Sequence, residues 1–195
     1  MLETISHFIF GLLCHQDPSI LFQVEGQSVA LCPRCIGLQL GFIISLILLK
    51  VTYRDGFRFN KKLAAGSALG ISIMLFDWRG AAILGIYEPN TISRLITGSI
   101  CAFFLAVLFL AYRNRIFHPL KEPQSKLSWI PILYGIAIAA LAGILVLSPM
   151  PWALITLILL LTVVSNATII LGTAIHRIIL LYQSTMTTTD TANPQ

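Results

Sequence analysis

"LCPRCIGLQLGFIISLILLKVTYRDGFRFNKK", residues 31–62, passes from a pair of cysteines through a long apolar run into a cluster of positive charge. Between Ile36 and Leu49 the only polar side chains are Gln39 and Ser45. At about 1.5 Å per residue, a helix over residues 34–51 reaches across most of a hydrocarbon core about 30 Å thick. Lys50, Arg54, Arg58, Lys61 and Lys62 crowd its far end. Short loops rich in Lys and Arg remain cytoplasmic, so the stretch reads as a helix entering from outside, with its cysteines on the outer surface.

The remainder of the chain repeats the apolar theme. Of 195 residues, 56% are hydrophobic and 11% charged, against about 25% charged in soluble domains, and the mean hydropathy is +0.85. Further apolar runs cover about residues 63–87, 91–112, 129–148 and 151–183. The expected fold is therefore all-α: a polytopic membrane bundle of about five transmembrane helices forming one domain over residues 1–183. "EPN" at 88–90 and "SPMP" at 148–151 read as tight turns, and the threonine-rich residues 184–195 as a disordered tail. Arg113, Arg115, Lys121 and Lys126 fill the third interhelical loop and Arg177 lies near the end of the last helix. The same rule puts these on the cytoplasmic side with the C-terminus, and the N-terminal segment outside, in a cell-membrane protein.

The net charge of +5 does not indicate nucleic acid, because the basic residues punctuate helix ends and build no basic arm or aromatic platform. The partner implied is the lipid bilayer. At the N-terminus, Ile5, Phe8, Ile9, Leu12 and Leu13 share one face of a helix over residues 2–14. This helix is too short to span and reads as interfacial or re-entrant. With Glu3 and His7 as its ionisable side chains, the segment lacks the basic start of a removable signal peptide. Residues 16–34 read as a loop.

That loop holds the strongest chemical signal. Cys14-His15 is followed by Cys32-Pro33-Arg34-Cys35. A Cys-x-x-Cys turn presents two sulfurs together, and with Cys14 and His15 it makes a Cys3His set suited to zinc or another transition metal. Pro33 stiffens the turn, while the helix start and Arg34 favour thiolate over thiol. The same features suit a redox pair, and an oxidising exterior also permits a structural disulfide. Cys101, within an apolar helix, reads as a packing residue.

Charge within the membrane is the second signal. Asp77 lies about 13 Å from the outer end of its helix, where an unpaired carboxylate costs several kcal/mol. Glu88 shares its face, and Arg94 stands across the turn, so Asp77–Arg94 and Glu88–Arg94 pairs are expected, either as structural ties or as candidate catalytic groups. Arg34, Arg79 and Arg94 together point to one extracytoplasmic place. Thr162, Ser165, Asn166, Thr173 and His176 form a polar stripe on the last helix, read mainly as packing. Gly37 and Gly41 form a G-x-x-x-G packing notch.

The motifs "CHQDP", "CPRCIGLQLG", "FDW" and "PNTISRLITG" resemble an uncharacterised family of small predicted bacterial and archaeal membrane proteins, a domain of unknown function. The resemblance covers about residues 14–98. It falls on Cys14, His15, Gln16 and Pro18; on Cys32, Arg34, Cys35 and Gly37; and on Asp77, Asn90, Arg94, Thr97 and Gly98. Ile20-Leu21 and Trp78 depart from the family pattern, and the resemblance implies no particular activity.

The leading expectation is an extracytoplasmic metal site at Cys14, His15, Cys32 and Cys35 above a polar cavity lined by Asp77, Glu88 and Arg94. A membrane thiol–disulfide oxidoreductase using Cys32 and Cys35 is the alternative from a second class. A transporter or binding module for a small molecule or lipid, built on Asp77, is the third.

Overall fold

The computed structural model describes residues 1–53, 61–80, 83, 90–117, 137–138, 141 and 150–191. Helix α1 (Leu2–Gly11) opens the chain, and a short 3-10 turn (Pro18–Ile20) leads into strands β1 (Phe22–Val24) and β2 (Gln27–Val29). Then come α2 (Pro33–Thr52), α3 (Lys61–Leu75), a π-helical turn (Phe76–Gly80), α4 (Thr91–Phe117) and α5 (Trp152–Thr191). Among the described residues α2, α4 and α5 are each long and apolar enough to cross a bilayer, and α3 is a shorter apolar helix. The expected span at 129–148 lies outside the described residues, apart from 137–138 and 141.

The all-α membrane bundle stands, with two local differences. Residues 22–29, expected as loop, form an antiparallel hairpin pairing Phe22 with Val29 and Val24 with Gln27. Glu25 and Gly26 both have positive φ, 51° and 76°, as the two central residues of a type I′ turn require. Helix α5 also continues to Thr191, past the start of the expected tail at 184. Propagation adds a hydrogen bond for each residue ordered and needs no new nucleus, so a long helix carries a polar extension that would not nucleate alone.

What holds α2 to α4 is the absence of side chains. A Cβ on Gly98 would run into the Arg34 carbonyl, and one on Gly37 into the Leu95 carbonyl, while Gly41 faces Ser99 and Ala102. Small residues let backbones approach where lipid supplies no hydrophobic drive between helices. One turn further along α2 meets one turn further along α4, so the two run parallel. Helix α3 closes on α4 in the same manner, with Phe104 seated where a Gly70 side chain would lie.

Two apolar clusters stack along this axis. One, at the cysteine end, gathers Phe10, Leu31, Ile36, Leu95, Ile155 and Leu159 from α1, the hairpin segment, α2, α4 and α5. The other, at the far end of α2, gathers Leu46, Leu49, Leu63, Phe103, Val107 and Leu110 from α2, α3 and α4. Leu154, Leu157, Leu161, Leu171 and Ile175 of α5 face outward, as lipid-facing side chains do. Helix α1 buries Ser6 and Phe10 and packs Ile9 on the core, while Ile5 and Phe8, with Leu12 and Leu13 just beyond the helix, are exposed.

Two polar struts fix the cap over the bundle. Gln16, at φ 53°, donates from Nε2 to the His7 carbonyl at 2.9 Å and the Ala30 carbonyl at 3.2 Å, tying α1 to the end of the hairpin. The backbone N–H of Trp152 donates to Glu25 Oε2 at 3.2 Å and its indole N–H to the Ser28 carbonyl at 3.3 Å. Glu25 thus puts a carboxylate at the start of α5, where the helix dipole favours negative charge. Deeper, Asn166 donates to the Gln39 carbonyl at 3.0 Å and to Gln39 Oε1 at 2.7 Å. Trp152 meets the hairpin that precedes α2 and Asn166 meets Gln39 inside it, so α5 also runs parallel to α2.

Gly98→Ala should lower stability in detergent by about 1–3 kcal/mol through overpacking against the Arg34 carbonyl. Gly172→Ala, with nothing near its added methyl, should be neutral or stabilising by up to about 1 kcal/mol; equal losses in the two unfolding curves would contradict this packing. Gln16→Ala should cost about 1–3 kcal/mol by stranding two carbonyls, and limited proteolysis should then cut between residues 12 and 31 well before it cuts the wild type.

Candidate functional site

Cys32 stands at the N-cap of α2, with Pro33 filling the first helical position, where a missing N–H costs nothing. Cys35 follows within the first turn, held there as the Ile36 N–H closes on the Cys32 carbonyl at 3.1 Å. Cys14 arrives from the other side: its N–H bonds the Phe10 carbonyl at 2.8 Å at the end of α1, and Gln16 clamps the chain just beyond it. The Sγ atoms of Cys14, Cys32 and Cys35 all lie within 4.8 Å of one another. All are free thiols; Cys32 is buried, Cys14 and Cys35 half-buried.

The electrostatics of the cluster favour one shared negative charge. The Cys32 backbone N–H donates to Cys14 Sγ at 3.4 Å, the Cys35 thiol reaches the Leu13 carbonyl at 3.9 Å, and the neighbouring sulfurs of Cys32 and Cys35 add to the hydrogen bonding that favours a thiolate at Cys14. These hydrogen bonds hold the Cys14 thiol far below the ordinary cysteine range and push Cys32 up. The site therefore presents a thiolate with two more sulfurs at hand, at the positive end of a helix. Zinc–sulfur bonds of about 2.3 Å in tetrahedral geometry set sulfurs about 3.8 Å apart, so the residues fit a metal of this kind with little movement.

His15, expected as the fourth ligand, is exposed and lies outside this cluster. Left-handed backbone at Gln16 turns the chain just after it, and consecutive residues in a tight turn send their side chains apart. The rest of "CHQDPS" has structural work: Cys14 joins the sulfurs, Gln16 is the strut, and Asp17 caps the 3-10 turn by accepting from the Ser19 N–H at 3.0 Å and hydroxyl at 2.7 Å.

Directly inside the sulfur cluster lies a buried ion pair. Arg34, between the two cysteines of the Cys-x-x-Cys turn, donates from a terminal nitrogen to Asp77 Oδ2 at 2.7 Å. Arg34 is 8% exposed and Asp77 1%. The Thr97 hydroxyl is 3.0 Å from the same carboxylate oxygen and also within reach of the Ser93 carbonyl at 2.9 Å. Asp77 sits on the π-helical turn, a distortion that recurs at functional sites. The structure thus brings Arg34 to Asp77, a residue that charge counting alone places only at the outer surface. Arg94 is half-buried in the first turn of α4, its N–H on the Asn90 carbonyl. Glu88 lies outside the described residues.

The polar stripe of α5 divides as packing predicts. Thr162 and Thr173 return their hydroxyls to the Ile158 and Ile169 carbonyls, Asn166 reaches Gln39, and Ser165 faces outward. Cys101 is buried in the helix contact as a small packing residue.

The hairpin differs from the loop expected at 16–34: Phe22-Gln23-Val24 alternates with a period of two before Glu25-Gly26, but Gln27-Ser28-Val29 does not, which leaves the turn dipeptide as its main signal. The Arg34–Asp77 pair was also missed. Its signal was the arginine inside a cysteine turn at the membrane surface, a charge needing a partner.

Comparison with known proteins places these residues. Residues 14–108 match the family described as "Predicted membrane protein (DUF2085)". An uncharacterised protein of Methanocaldococcus jannaschii is 28% identical over 104 residues, 52% of this chain and 64% of that protein, so the match leaves about a third of the relative uncovered. An uncharacterised protein of Methanothermobacter thermautotrophicus is 28% identical over 112 residues, 56% of this chain and 95% of that protein. No solved structure matches. The stretch that builds both the sulfur cluster and the ion pair is therefore the stretch over which this chain matches the uncharacterised family of predicted membrane proteins that its motifs resemble.

Proposed function

We propose that this membrane protein holds a transition-metal ion, zinc by the character of its ligands, on the extracytoplasmic face through Cys14, Cys32 and Cys35. The observation that carries the reading is the convergence of three free sulfurs, from two separate chain segments, to within 4.8 Å. Three protein ligands leave a fourth position for water or a substrate atom, which distinguishes an acting zinc centre from a closed structural one. When bound, the metal would polarise whatever occupies that position. The chain's own part is to hold the ligands: the α2 N-cap orients Cys32 and Cys35, and Gln16 holds the turn that delivers Cys14.

Topology supports the placement. Helices α2, α4 and α5 run parallel, so the chain must return between each pair. Helix α3 supplies the first return, and the apolar run at 129–148 is the expected second, giving five crossings. With the basic loops inside, the sulfur cluster opens outward.

Thiol–disulfide exchange is the second reading. It draws on the same three sulfurs, with Cys14 as the thiolate that would attack a Cys32–Cys35 disulfide to form a mixed disulfide, releasing the other cysteine as thiolate.

Elemental analysis of protein purified in detergent, paired with a count of reactive thiols, separates the two. The metal reading expects about one zinc per chain with three cysteines protected until a chelator removes it, a sharp fall in zinc for Cys14→Ser or Cys35→Ser, and no change for His15→Ala. Protein without metal, carrying two fewer thiols than its sequence that are recovered and lost again reversibly against a dithiol couple of set potential, would favour the redox reading instead.

A further inference from the structure

Arg34 is anchored at both ends. Its carbonyl rests on Gly98 of α4, so closely that no Cβ fits there, and its guanidinium is bound to Asp77 at 2.7 Å. The residue stands two positions after Cys32 and one before Cys35, in the first turn of a helix where each step rotates the side chain by about 100°. Turning that helical end far enough to redirect either sulfur would pull the guanidinium off its carboxylate. Asp77 in turn is held by Thr97 and by its place on the π turn. The sulfur cluster at the surface and the carboxylate within the bundle are therefore joined by one side chain.

We propose that Asp77 is a positioning residue for the sulfur cluster: through Arg34 it sets the first turn of α2, and with it the directions of Cys32 and Cys35. This deepens the metal reading and rests on it for its spectroscopic test. The pair carries no net charge, which suits fixing geometry within a low-dielectric surrounding. Coupling of this kind is reciprocal, so filling the sulfur cluster also stiffens the attachment of α3 at its π turn.

The test uses the full chain in detergent, with cobalt(II) as probe, since its sulfur charge-transfer and ligand-field bands report ligand number and geometry. Asp77→Asn keeps the shape and removes the charge. It should shift those bands and weaken cobalt binding at least tenfold, while helical content by circular dichroism is kept. Asn166→Ala is the matched control, because it removes the bonds to Gln39 further along α2 and leaves Arg34 alone; its bands should match the wild type. Unchanged bands and affinity in Asp77→Asn, or equal changes in Asn166→Ala, would overturn the proposal. If Asp77→Asn does not fold, Thr97→Val, which loosens Asp77 without removing it, should move the bands in the same direction, and its failure to do so overturns the proposal equally.

A second readout needs no metal. In reduced, chelator-treated protein, Asp77→Asn should raise the alkylation rate of Cys35 at least fivefold, and Asn166→Ala should not. Wild-type protein that gives no cobalt bands would refute the metal reading, and the alkylation rates would still decide the role of Asp77.

Discussion

The bundle depends on how closely α2 and α4 can approach. In lipid, apolar side chains gain little by meeting one another rather than acyl chains, so helices associate through dense packing and polar contacts. Gly37, Gly41 and Gly98 remove the atoms that would hold the two backbones apart. That approach seats the Arg34 carbonyl on Gly98, while Thr97 of the same α4 holds the carboxylate of Asp77 on the π turn. A wider separation would leave a buried arginine and a buried aspartate short of one another, and an unpaired charge in such a place costs several kcal/mol. Packing and electrostatics here are one constraint, since small residues make the ion pair geometrically attainable.

The sulfur cluster is built by a different device. Its members come from the end of α1 and the beginning of α2, and the seventeen residues between Cys14 and Cys32 form a compact hairpin and 3-10 turn rather than a slack loop. Hydrogen bonds from Gln16 and the pairing of β1 with β2 order this segment before any ion is considered. A ligand set ordered in advance loses less conformational entropy on binding than one gathered from a flexible chain.

How much of this was legible follows from the physical range of each signal. The spans at 34–51 and 91–112 rest on local composition, and the structure has long apolar helices there; the spacing of the cysteines likewise foretells that Cys14, Cys32 and Cys35 meet. The G-x-x-x-G of Gly37 and Gly41 was readable as a notch, but its counterpart was not, because Ser99 and Ala102 carry no mark in sequence that pairs them with those glycines. Arg34 as partner of Asp77 was illegible for the same reason: forty-three positions separate them, and charge bias along a chain says which side of a membrane a residue favours, never which side chain it meets. Cys14 and His15 read as neighbours in one set, whereas the structure brings Cys14 to Cys32 and Cys35 and leaves the His15 side chain exposed.

The clasp between the hairpin and the start of α5 has a consequence for biosynthesis. Glu25 and Ser28 precede Trp152 by 127 and 124 residues, so both leave the ribosome long before it. The hairpin must therefore wait, outside the membrane and without its tryptophan, until the last helix is inserted. Closure of the outer cap thus coincides with completion of the bundle, and a chain truncated before residue 152 would carry every cysteine and both members of the ion pair beneath a lid with nothing to fasten to.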